Sequence, residues 1–64
     1  MSEPFESHEM EWLLTEADIH EDQGALVAAR IARTIALKIA DTLPAWRVEG
    51  YKPRLAWVRE WLKS

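Results

Sequence analysis

The apolar positions of this chain recur at helical spacing, and proline-marked breaks divide the pattern into three pieces. In the first, Pro4 to about Asp18, Met10, Leu13, Leu14 and Ala17 fall on one face when the chain turns about 100° per residue. Phe5, Trp12 and Ile19 recur every seven residues and make a second stripe nearly opposite. Acidic side chains fill the flanks. Two opposed apolar stripes call for a neighbour on each side of the helix. A start at Ser2, with Pro4 in the first turn, or at Ser7, supplies the capping chemistry, and the crowded acids suit the positive end of the helix dipole.

The second piece runs from about Ile19 or Asp22 to Leu43. Asp18 followed by Glu21 has the spacing of a capping box, with Asp22 as an alternative N-cap. Two rows at i, i+4 follow. Gly24, Ala28, Ala32, Ala36 and Ala40 form a small-residue row; Val27, Ile31, Ile35, Ile39 and Leu43 form a large one. Such rows are the ridges of helix packing. The small row predicts a close helix–helix contact at Ala32 and Ala36, and the large row is expected to fill core space beside it. Arg30, Arg33, Thr34, Lys38 and Asp41 gather on the remaining, polar face. The alanine content favours helix intrinsically.

Pro44 pushes the residue before it out of the helical region and ends this piece. The connector Pro44 to Lys52 holds Trp46, Val48 and Tyr51, with Gly50 as a turn candidate; Trp46 or Tyr51 is expected to pack back on the helices. Pro53 then suits a first helical position. Leu55, Val58 and Leu62 share a face, Trp57 and Trp61 border it, and Arg59, Glu60 and Lys63 face away. Alternation is nowhere sustained, which argues against sheet. The pattern predicts an all-α fold: one domain over residues 1–64, with helices at about 5–18, 20–43 and 53–63 in a three-helix hairpin or small bundle.

Size sharpens this picture. A chain of 64 residues buries only about 60% of its unfolded surface and usually needs a staple or a partner. There is no cysteine, so disulfides and thiolate metal sites are excluded. Four tryptophans supply bulk for a core, and homodimerisation is expected to complete it.

Charge is divided along the chain. Residues 1–22 carry eight acids and no Lys or Arg; residues 23–64 carry all eight basic side chains against three acids, a net of about +5. Opposite fields of this kind attract head against tail, within one chain or between two. The acidic N-terminus does not read as a secretory signal. The longest apolar stretch, Ala25 to Leu43, contains Arg30, Arg33, Lys38 and Asp41 and does not read as a membrane span. A cytoplasmic location is expected, consistent with the lack of cysteine.

Candidate chemistry is sparse. Glu16 and His20 share a helical face, but zinc needs three or four ligands, and no metal or cofactor is expected. No nucleophile elbow or phosphate-binding loop is present, and a chain this short hardly encloses a pocket that shifts a catalytic pKa; no catalytic residue is assigned. The residues point instead to a non-catalytic protein-interaction module, a regulator, inhibitor or adaptor. Its contact residues are Phe5, Trp12 and Ile19 on the outer stripe, with Glu9, Glu11 and Glu16 around them. A carboxylate-rich front that mimics nucleic acid is one version. Trp12 is read as the partner anchor, Trp57 and Trp61 as serving mainly the fold. The alternative is a small DNA- or RNA-binding regulator using Arg47, Lys52, Arg54, Trp57, Arg59, Trp61 and Lys63, since aromatic rings among cations stack on bases. The acidic front and a pI near 5.2 weigh against it, as does a connector longer than a helix-turn-helix uses. A purely structural subunit is a third possibility.

Overall fold

A computed structural model of the chain describes residues 7–64. Phe5, Pro4 and the helix start at Ser2 lie outside this range. Helix α1 spans Ser7–Asp22 and α2 spans Leu26–Thr42. The break between them therefore falls at Gln23–Ala25, later than the capping-box spacing implies. Gly24 decides the matter. Its φ of +80° is a left-handed conformation that glycine adopts without a Cβ penalty. Around it the amide of Gly24 donates to the Glu21 carbonyl at 2.9 Å and that of Ala25 to the His20 carbonyl at 2.8 Å. These two bonds are the Schellman motif that ends a helix at glycine. Asp18 and Glu21 consequently sit inside α1 and cap nothing, Asp22 is its last residue, and Gly24 leaves the small row for the turn.

At its other end, α2 stops as the sequence requires. Leu43 is extended (φ −95°, ψ 151°) ahead of Pro44. The connector is more regular than its composition predicts: a single helical turn, α3 (Ala45–Val48), runs into a 3-10 turn, Glu49–Tyr51. Pro44 supplies the residue just before α3, with φ already near −60°. Helix α4 spans Lys52–Lys63, with Pro53 in its first turn.

Helix α2 is the centre, packed by α1 and by α4. The main core joins Met10 and Leu14 of α1, Ala36, Ile39 and Ala40 of α2, and Leu55 and Val58 of α4. Each large aliphatic side chain fully buried there contributes about 1.5–3 kcal/mol. A second cluster, Ala17 against Ala29 and Ala32, lets α1 and α2 approach closely, and Trp61 packs against it. Tyr51 packs against the main core, whereas Trp46 stays exposed. The small row thus lies in the core at Ala32, Ala36 and Ala40, as its spacing predicts.

Two expectations for α2 are overturned. Of the large row, only Ile39 is buried; Val27, Ile31 and Ile35 are exposed. The two helices packed against α2 both sit on its alanine-rich side, and among the described residues no further element covers the opposite arc. Arg33, placed by its position on the polar face, is instead 1% exposed. The fold is all-α, with no strand among the described residues. No described helix is long and apolar enough to cross a membrane.

Candidate functional site

Trp12 is the natural starting point. It sits on α1 about 160° from the buried Met10, by helical geometry, and is 59% exposed. A groove runs beside it between α1 and α2. Trp12, Glu16 and His20 line one wall; Ala28, Ile31 and Ile35 line the other. At about 280 Å³ the groove lies just below the range of small-molecule pockets and suits a few inserted side chains. Val27 is 75% exposed and, one helical turn before Ile31, continues the apolar ridge along α2. The shape of this face follows from its residues. Ala28 is small and leaves a depression, and the β-branched Val27, Ile31 and Ile35 stand proud beside it.

The residues assigned to the interaction surface from sequence separate here. Trp12 and Glu16 line the groove. Glu9 and Glu11 line a neighbouring depression with His8, Thr15 and the other side of Trp12. Ile19 is exposed on the Trp12 side of α1 but is not part of the groove wall. Phe5 lies outside the described residues. Val27, Ile31 and Ile35 were assigned to the core instead. The apolar and small residues of α2 occupy most of its circumference, more than two partner helices can cover, and that excess was the available sign of an exposed face.

On the opposite side of α2, Arg33 joins the acidic front to the basic tail within one chain. Its Nη2 donates to Asp18 Oδ1 and Glu21 Oε1, both at 2.8 Å. Arg54 reaches the second oxygen of Asp18 at 3.2 Å. The guanidinium lies over the rings of Trp61 and Trp57, 4.3 and 5.0 Å from their centroids. Its Nε and Nη1 are buried without a hydrogen-bond partner, so the aromatic faces supply much of the stabilisation that water would have given. Beside it Arg30 donates to the Leu62 carbonyl at 3.0 Å and approaches the Trp61 ring.

This arrangement changes the basic C-terminal surface. Lys52 pairs with Glu49, Arg59 with Asp41 and Lys63 with Glu60, at 3.3, 3.8 and 3.4 Å. Arg47 lies over the Trp46 ring. Trp61 faces Arg33 and Trp57 is half exposed. The cations that sequence gathers into a basic tail are thus interleaved with acids, which weakens the field a phosphate backbone would feel.

His20 Nε2 stands 3.9 Å from Glu16 Oε1, and no group of three metal-ligating side chains occurs among the described residues. Burial, reinforced by the charge and hydrogen bonding of Glu11, pushes the Tyr51 phenol above its ordinary pKa. No protein-family model, curated protein or solved structure matches this chain.

Proposed function

We propose that this chain is a non-catalytic helical interaction module, a regulator, inhibitor or adaptor that works by burying its α1/α2 groove face against a protein surface. One observation carries the reading: Trp12, Val27, Ile31 and Ile35 are exposed together on one side, around a groove sized for side chains. Contiguous exposed apolar surface of this kind marks interaction sites in small proteins. Tryptophan is among the residues enriched at binding hot spots. Glu16 on the groove wall, with Glu9 and Glu11 in the depression on the other side of Trp12, favours a partner surface that is apolar at its centre and basic at its edge.

The test compares two baits in affinity capture, the wild-type chain and Ile31→Asp/Ile35→Asp. Both positions are exposed, so helicity is expected to survive. A partner retained by the wild type and lost from the variant supports the reading. Identical capture by both rejects it. Nucleic acid retained by the wild type and lost after charge reversal at Lys52, Arg54, Arg59 and Lys63 would move the function to α4.

A further inference from the structure

We propose that the groove face takes a second copy of this chain, in a two-fold dimer in which the two α2 helices cross antiparallel. The inference rests on reading that face as an interface, and names its occupant. A two-fold contact requires one patch to be complementary to itself. This patch is: it carries both a ridge, Val27–Ile31–Ile35, and, immediately beside it, a groove with Ala28 in its wall. The ridge of one copy can therefore seat beside the groove of the other. Ridges spaced at i, i+4 on both helices interlock at a crossing near −50°.

Charge fixes the register. Lys38 is exposed on the same side of α2 and has no ion-pair partner among the described residues. Placing the two-fold axis between Ile31 and Ile35 sets Lys38 of each copy opposite Ala28 of the other. That is beside the groove wall made by Glu16 and His20. Each copy then supplies one Lys38 to a Glu16 of its partner, so the contact carries two equivalent ion pairs. Trp12, on the same wall, closes over the inserted ridge. The face is one helix of 17 residues long, about 25 Å, and little more than one helix spacing wide, about 10 Å. That is well below the roughly 800 Å² per partner of standard specific interfaces, so a weak dimer is expected.

The experiment is sedimentation equilibrium of the full chain from about 1 to 500 μM, an interval that brackets micromolar dissociation. The wild type should move from the 7.4 kDa chain mass toward twice that value. Lys38→Glu and Glu16→Lys should each weaken the dimer about tenfold or more, because each places like charges at both contacts. An equimolar mixture of the two variants should recover wild-type affinity, since the heterodimer restores one native pair and one with its signs exchanged. Ile31→Asp should stay monomeric throughout. If Ile31→Asp lowers helicity, the mixing experiment still decides, because its substitutions are at charged positions outside the core. A wild type that stays monomeric at 500 μM overturns self-occupancy; if Ile31→Asp/Ile35→Asp still loses a captured partner, the interface reading stands with a different occupant. A dimer indifferent to Ile31→Asp, or variants that mixing does not rescue, also overturns the proposal.

Discussion

Arg33 shows how far a single side chain can depart from its position in a helical pattern. Thr34, Lys38 and Asp41, which the sequence pattern groups with it, are exposed, yet Arg33 is buried under two indole rings with two carboxylates on one nitrogen. Charge removed from water costs several kcal/mol unless compensated, so the cluster is stable only as a set. Asp18→Asn/Glu21→Gln leaves the guanidinium buried without an anion. The expected loss is about 2–3 kcal/mol, below the fully buried figure because both carboxylates are half exposed. Arg33→Met removes the charge while keeping the volume and returns the two acids to solvent; the expected change is within about 1 kcal/mol. Denaturant unfolding of both variants checks the order, and a Met variant less stable than the double amide variant would contradict it. Tyr51 gives a pH-dependent counterpart. Its folded pKa is raised, chiefly by burial and then by Glu11. The neutral phenol therefore contributes stability that is complete below the unfolded value near 10 and is lost as pH rises through the folded value. The melting temperature should fall above pH 10, and Tyr51→Phe should flatten that decline. An identical alkaline slope in both proteins would remove Tyr51 from the cause.

At the level of elements, the identity of the three long helices was legible in the sequence, that of α3 was not, and helix environment was only partly so. The alanine ridge read correctly because close approach demands small side chains wherever it occurs. Ala36→Leu should overpack the meeting of α1, α2 and α4 and cost about 1–3 kcal/mol. An unchanged melting temperature would place Ala36 on the surface. The isoleucine ridge misled because periodicity reports which residues share a face, not whether a neighbour exists to cover it. The end of α1 misled for a different reason. Two local signals competed, a capping-box spacing at Asp18–Glu21 and a glycine six residues beyond Asp18. The acids were drawn instead to Arg33, a contact made twelve to fifteen residues away, and the glycine set the turn. Gly24→Ala tests that choice cleanly. A Cβ there meets nothing within 4 Å, so any loss comes from the left-handed backbone alone, about 1–2 kcal/mol.

For the whole molecule, two acids of the front are drawn into intramolecular contacts with the basic part of the chain, and the tryptophans divide the work. Asp18 and Glu21 hold Arg33 and Arg54, so the acidic front meets the basic part of the chain at these two residues. The structure places Trp61 against Ala17, Ala29 and Ala32 and over Arg33. It leaves Trp12 at the edge of an open groove. These surroundings predict opposite phenotypes. Trp61→Ala opens space beside the second cluster and exposes one face of the buried guanidinium. The loss should be roughly 2 kcal/mol, less than the ~3–5 kcal/mol of a fully buried tryptophan because Trp61 is only partly buried. Trp12→Ala removes little buried contact and should leave the helical circular dichroism signal and the dilute melting temperature within experimental error. It should nevertheless weaken association at the groove by about 2 kcal/mol, the scale of an aromatic anchor. Thermal melts at low concentration, paired with binding measured at high concentration, separate the two effects. If Trp12→Ala unfolds the dilute protein while Trp61→Ala only loses a ligand, the interacting surface lies on α4 and the groove belongs to the fold.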